Sequence, residues 1–300
     1  MNILSSWRLV LALLAVVVSV PTVRAQAYNN PTLEKIREYG AIYVGHREAS
    51  IPFSYFAGDE VVGYSKDLCD RIVDAIKEQL DDPTLKVVLV PVTSSSRMLM
   101  LMTGMIDLEC GSTTNTRIRQ QSVAFGVTTF VSGVKAVTRK DVGIERIVDL
   151  DGKVVVTTAG TTTERIVKTV LAARNASARP KSARTHLESL SMVVSRQADA
   201  FVLDDAILSG LLVDSPDGDK LKLLEENFGF EPYGIALRKG DPEFKKLVDA
   251  TLIRMMKDGE LEKLYAKWFM SPIPPKNVTL NIPMSGMLKD LLRNPSDSGI

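Results

Sequence analysis

Apolar positions along this chain recur at two periods that trade places repeatedly. Residues 42–45, Ile-Tyr-Val-Gly, form a short β-type run. Across 66–80, Leu68, Ile72, Val73, Ile76 and Leu80 return every three or four positions, which is one apolar helical stripe. Residues 86–92 read as a buried strand, 94–103 as a helix that Gly104 can stop, and 106–110 as another strand. The polar loop Ser112-Thr113-Thr114-Asn115 then opens a short helix, and 132–138 is extended. A second cycle follows: strand 153–157, helices 161–173 and 188–196, strand 198–203 and helix 205–213. After a strand at 234–238 comes a pair of amphipathic helices across 241–269. Pro272, Pro274 and Pro275 break the last of these, and the tail to Ile300 is expected to wrap on the surface. Strands alternating with helices are the signature of α/β layers. Two cycles without a tandem repeat or a low-complexity linker predict two lobes packed edge to edge.

The first 25 residues break the pattern. Arg8 precedes an almost unbroken Leu/Ala/Val run from 9 to 20, Pro21 closes it, and small residues permit cleavage after Ala25 or Ala27. That is the layout of a secretory signal peptide over 1–25, its apolar core short for a membrane span. An N-terminal anchor helix is the alternative. The expectation is an exported, soluble protein. Cys69 and Cys110 are the two cysteines, an even count that permits one disulfide in an oxidising compartment. Two separate buried thiols remain the other reading. Neither sits in a CxxC pair, and two cysteines with two scattered histidines predict no metal site.

Composition narrows the partners. With 45% hydrophobic and 24% charged residues the chain is ordinary globular material. Residues 1–25 hold Arg8 and Arg24 and no acid, leaving 35 basic against 36 acidic residues in the remainder. So even a balance offers no footprint for nucleic acid or an anionic membrane. Function has to reside in a local site.

Several loops carry Ser, Thr or Arg where a strand hands over to a helix: His46-Arg47, Ser94 to Arg97, Ser112 to Thr114 with Arg119, and Gly160 to Thr162. Helix N-termini present unpaired N–H groups and a positive dipole end, which suits carboxylates. In open α/β sheets ligands gather outside the carboxyl ends of strands, where these loops fall. Asp204 follows a strand directly and can meet an ammonium group. Each feature alone also reads as a plain N-cap or a solvated charge. Their coincidence in one chain, three of them with Arg, is the signal.

At these residues the chain resembles the amino-acid-binding members of solute-binding protein family 3, the exported receptors of ABC importers. The stretches are VGHREASIPFSY at 44–55, VVGYSKDLCDRIV at 61–73, PVTSSSR at 91–97, ECGSTTNTRIRQ at 109–120, TTAGTTTE at 157–164, FVLDDA at 201–206 and GELEKLYAKWFMSPIPPKN at 259–277. They span nearly all of the chain after the leader. The resemblance implies a two-lobe periplasmic-binding-protein fold of type II. Each lobe is then a mainly parallel sheet flanked by helices, with two crossover strands between them. Lobe 1 takes 28–129 and 233–300, and lobe 2 takes 134–229. It further implies a periplasmic monomer that closes on L-glutamate or L-aspartate and hands it to a membrane permease, with no cofactor. In that scheme Arg119, with Thr114 and Thr162, holds the α-carboxylate; Asp204, with Ser112, receives the α-ammonium; and Arg47, Ser94, Arg97 and His186 surround the side-chain carboxylate. A Cys69–Cys110 bridge remains open on the same grounds.

Elementary electrostatics agrees with these roles. An acidic amino acid brings two carboxylates and one ammonium, and burying it demands paired opposite charges. Three arginines against one aspartate match that pattern, with Asp204 expected to stay ionised opposite them. Glutamine leaves an Arg short of its anion, at a cost of ~1–3 kcal/mol or roughly 10–100-fold in affinity. If His186 acts as an imidazolium, binding weakens at alkaline pH. His46 is expected to look away, since strand neighbours point to opposite faces. The alternatives are another polar amino acid such as glutamine, a sensory input domain, and a dehydratase-type enzyme. Against an enzyme, the chain has no GxSxG and no Cys–His pair, and Asp204 is the one pocket acid to nominate.

Overall fold

In the computed structural model, which describes residues 31–300, the strands sort into two principal sheets. The predicted signal peptide lies outside the described residues. In the first sheet, Ala41–His46 runs parallel to Lys86–Pro91 on one side and to Leu108–Glu109 on the other, and Ala236–Arg238 then pairs antiparallel with Leu108–Glu109 and Val123–Phe125. In the second, Val154–Thr158 lies parallel between Arg179–Ala183 and Ala200–Asp204, and the long Phe130–Arg139 strand joins antiparallel to the latter. Both sheets are therefore mixed: parallel βα units give way to antiparallel pairing where the chain crosses between sheets.

The crossovers are Phe130–Arg139 and Gly229–Tyr233, which pair with each other from Phe130↔Tyr233 to Val134↔Gly229. An aromatic cluster anchors their first-sheet end. Phe130 stacks on Phe269 with centroids 4.9 Å apart and meets Phe53 edge-on at 4.8 Å, and Tyr233 lies 5.1 Å from Phe53. Such pairs add ~0.5–1.5 kcal/mol each beyond the area they bury.

Helix boundaries follow the apolar stripes closely. Tyr64–Leu80 buries Leu68, Ile72, Val73 and Ile76, and Pro242–Lys257 buries Phe244, Val248, Leu252 and Met255. Cys69 on the first of these is bonded to Cys110, at a sequence separation of 41.

Three local expectations change. The Lys86–Pro91 strand is an edge, and Val87, Val88 and Leu89 are exposed rather than buried. Its apolar run reads as interior only if a further strand flanks it. The predicted helix over 94–103 shortens to Arg97–Met102. Thr93 and Ser96 hold a turn there, each backbone N–H donating to the other's hydroxyl at 3.0 Å. The tail, finally, docks instead of lying on the surface. Gly286–Arg293 buries Leu288 and Leu292, and beyond it Ser296, Asp297 and Ile300 carbonyls accept from Thr128 N, Asn115 Nδ2 and Arg117 N at 2.8–2.9 Å.

Candidate functional site

Every predicted site residue lies at the end of a strand or the start of the helix after it. Arg47 follows Ala41–His46, Arg97 opens Arg97–Met102, and Ser112 and Thr114 follow Leu108–Glu109. From the second sheet, Thr162 caps Thr163–Ala172, His186 opens His186–Val194, and Asp204 ends Ala200–Asp204. A chain of parallel strands aims all these loops to one side. Ser94, Arg97, Ser112, Thr114, Thr162, His186 and Asp204 line one small cavity, together with Thr161 and Ile207, which the sequence did not single out. Arg47 and Arg119 stand at its margins.

The two halves meet across this cavity. Arg119 Nη1 donates to the Thr114 carbonyl at 2.9 Å and Nη2 to the Gly160 carbonyl of the other half at 3.0 Å. Gly160 has φ +79°, and a Cβ there would fall 2.6 Å from the Ser94 carbonyl, so only glycine fits this seam. Arg47 Nη2 lies 3.4 Å from His186 Nε2.

One end of the cavity is rich in guanidinium. Arg47 and Arg97 are buried, and Arg47 Nη1, Arg97 Nε and Ser94 Oγ have no partner within the protein. Arg97 Nη1 donates to the Ser112 carbonyl and to Thr113 Oγ1, and lies 3.8 Å from Glu109 Oε1. Burial, then the neighbouring Arg97 charge, lowers Arg47 to about 9; the same two causes lower Arg119 to about 10. Both remain cationic at neutral pH, with nearby carboxyls, Glu109 for Arg47 and Glu231, Glu109 and Asp204 for Arg119, offsetting part of the lowering.

His186 sits inside this cationic end. Burial, then Arg47 and Arg97, hold its imidazole well below the ordinary range. Burial and two neighbouring guanidinium groups thus favour the neutral ring over the imidazolium that the alkaline-pH expectation requires. An Arg47 donor fixes Nε2 as acceptor, so Nδ1–H donates to Thr158 Oγ1 at 2.9 Å, with Ser189 Oγ 2.9 Å beyond. His46 faces elsewhere, its ring edge-on to Phe56 at 5.4 Å.

The opposite end is acidic, and here the sequence reading falls short. Glu231, fully enclosed, belongs to this neighbourhood beside Asp204, while Glu109, equally enclosed, lies at the guanidinium end beside Arg97. Thr113 Oγ1 donates to Glu109, and Thr114 Oγ1 donates to Glu231 Oε2 at 2.8 Å. Asp204 Oδ1 and Glu231 Oε1 have no partner of good geometry. Burial first, then Glu231, hold the Asp204 carboxyl well above the usual range. The expectation that Asp204 is an ionised, solitary acid is corrected: it shares its place with a second carboxyl. The available signal was an acid inside each of two β-type runs, I-D-L-E-C and G-F-E-P-Y, where acids are depleted.

A larger cavity of about 450 Å³ lies between Thr163–Ala172 and Val154–Thr158. It is lined mainly by apolar side chains such as Val155, Val167 and Leu171, with Glu164 and Lys168 as its charged residues. Size alone does not make it the site; convergent, unpaired polar groups mark the smaller one.

Residues 42–271 match the family described as bacterial extracellular solute-binding proteins, family 3. The chain belongs to that family. Among its relatives, the glutamate/aspartate import solute-binding protein of Salmonella typhimurium is 43% identical, covering 90% of this chain and 89% of the relative. The L-glutamate/L-aspartate-binding protein of Pseudomonas aeruginosa is 43% identical over 95% of both chains. Solved structures of an ancestral arginine-binding protein, one bound to arginine and one to glutamine, superpose with TM-scores of 0.67 and 0.68 at 32% and 31% identity. Each covers 77% of this chain and 98% of its own. Family 3 membership and these superpositions make the two mixed sheets the lobes of a type II periplasmic-binding-protein fold. The named relatives are binding proteins, not enzymes.

Proposed function

We propose that this family 3 protein is an exported, periplasmic receptor that captures L-glutamate or L-aspartate as a monomer and delivers it to an ABC-type permease. One observation carries the reading: an unpaired guanidinium N–H of Arg97 and an unpaired carboxyl oxygen of Asp204 belong to residues that line one small polar cavity. A dicarboxylic amino acid presents the complementary charges in that order. Arg119, Thr114 and Thr162 then hold the α-carboxylate, and Asp204 and Ser112 take the α-ammonium. Arg47, Arg97, Ser94 and the neutral His186 surround the side-chain carboxylate. Planar guanidinium groups suit this task because they grip a carboxylate through two parallel hydrogen bonds.

Lobe 1 comprises 28–129 and 233–300, and lobe 2 comprises 134–229, so the paired crossovers act as the hinge. Contacts such as Arg119 with Gly160 link the lobes across the seam. Ligand favours closure only as far as it contacts the closed state better than the open one. Titration calorimetry with glutamate, aspartate, glutamine and arginine tests the assignment. Preference for the two dicarboxylic ligands by roughly tenfold or more is expected. Equal uptake of glutamine or arginine overturns it.

A further inference from the structure

Glu109 has no part in the ligand scheme above, yet it ends the Leu108–Glu109 strand beside the guanidinium end, fully enclosed. Thr113 Oγ1 donates to Glu109 Oε2 at 2.5 Å, and the same oxygen accepts from Arg97 Nη1, so one threonine ties the carboxyl to the guanidinium. Arg97 Nη1 also lies 3.8 Å from Glu109 Oε1, which forms no hydrogen bond of its own. Arg47 meets the same carboxyl across Gly111. A Cβ on that glycine would clash with Glu109 Oε1 and fall 2.7 Å from Arg47 Cγ, so its absence leaves room for both. The Glu109 charge offsets part of the lowering that burial and Arg97 impose on the Arg47 guanidinium. Among the described residues Arg97 has no other ion pair, and Arg47 has none. Guanidinium groups keep their protons. Two of them and one carboxylate therefore leave this end with one net positive charge, not two. A ligand carboxylate brings the enclosed sum to zero, whereas an amide leaves one charge uncompensated and a dianion leaves an excess; both are costly away from water.

We propose that Glu109 determines specificity at the side-chain end of the site: as a built-in anion it cancels one of two arginines, so that a singly charged carboxylate fits and neutral or doubly charged side chains do not. It is a positioning residue, acting through Arg97 and Arg47 rather than on the ligand itself. The inference rests on the amino-acid reading proposed above.

Calorimetry of the purified full chain with L-glutamate, L-glutamine and O-phospho-L-serine reads this charge count. The last is close to glutamate in length and carries a dianionic phosphate above its second pKa of about 6. Glu109→Gln keeps the side chain's shape and an oxygen to accept from Thr113 while deleting the anion. Relative to glutamate, phosphoserine should gain about tenfold or more in E109Q and glutamine should lose a similar factor, because one elementary charge within several ångströms is gone. The bulk of the phosphate cancels when the two chains are compared. Glu109→Asp retains the charge and is expected to keep the wild-type ratios. A residue that served packing alone would lower all three affinities together. Unchanged ratios in E109Q, or the same change in E109D, overturn the inference. If E109Q does not fold, Arg47→Gln carries the test. Glu109 then cancels the remaining guanidinium, so the glutamate-over-glutamine preference should vanish; a preference of wild-type size overturns the inference.

One measurement needs no ligand. In urea, the stability losses of E109Q and R97Q should sum to more than the loss of the double variant, because removing one partner strands the other's buried charge. Additive losses overturn the counter-ion. If the losses are non-additive while neither glutamate nor aspartate gives binding heat, the amino-acid reading fails and the counter-ion stands.

Discussion

The two ends of the cavity are built on one plan with opposite sign. At one, Arg47 and Arg97 crowd together with a neutral His186 between lobes, and burial lowers the Arg47 pKa to about 9. At the other, Asp204 and Glu231 crowd together and burial raises the Asp204 carboxyl. The ends differ in how each relieves its like charges. The guanidinium end has a partial internal counter-ion in Glu109, 3.8 Å from Arg97. Guanidinium cannot shed its proton near neutral pH, so that end stays charged. Carboxyls can accept a proton, so burial at the acidic end favours the neutral form of Asp204. The charge that favours an anion is thus permanent, whereas the charge of Asp204 depends on its protonation.

The strongest way to break this contrast is at the permanent end. Arg97→Ala is expected to cost ~2–5 kcal/mol of glutamate binding, as truncating a buried charge partner does. Calorimetry should also show the glutamate-over-glutamine preference shrinking, since the variant removes the charge that tells them apart. Next comes the scaffold beneath that end. Cys110 adjoins Gly111 and Ser112, and the bridge to Cys69 closes a separation of 41 residues. Replacing both cysteines by serine should lower unfolding stability by ~2–4 kcal/mol in denaturant melts, with glutamate affinity changed far less.

Asp204→Asn sharpens the opposite end. Because the Asp204 carboxyl is raised in the folded state, the native protein binds more protons than the unfolded chain between the ordinary carboxylate pKa and the raised one. Its stability contribution is complete below the ordinary value and is lost as pH rises through the raised one. Removing this group should therefore stabilise the ligand-free protein at neutral pH by ~0.5–2 kcal/mol while weakening glutamate and glutamine binding alike. Thermal melts with and without ligand check both halves.

Smaller effects separate neighbours. His186→Gln should leave the pH profile of affinity unchanged near neutral pH, because burial and the two guanidinium groups lower the imidazole below its ordinary range; a lost pH step in calorimetry would restore the imidazolium reading. Truncation after Arg293 removes the strap that holds Asn115 and Arg117, next to Thr114. A fall in affinity of a few fold is expected, about 1 kcal/mol, with the Gly286–Arg293 helix intact. An unchanged dissociation constant would make the strap incidental.

Much of the site was legible because its signals are local. Arg97 and Thr162 lie at strand-to-helix junctions and Arg47 at a strand end, and turn chemistry and apolar periodicity mark such places within a few residues, whereas His186 came from the family resemblance alone. The same locality explains the misreadings. Nothing within 86–92 says that one side of that strand stays unpaired, and nothing after Pro275 says that Leu288 and Leu292 find a core.

By itself, then, the order of residues determined the alternation of strands and helices, the side of the sheets on which polar loops gather, and an excess of guanidinium over the one acid recognised there. Each depends on neighbours in the chain. Tertiary structure alone decided that Glu109 and Glu231 are enclosed beside those groups, that Asp204 meets a second carboxyl, and that His186 is neutral. Ionisation in a protein interior is set by charges and dielectric within a few ångströms, and here those charges come from residues tens to more than a hundred positions apart.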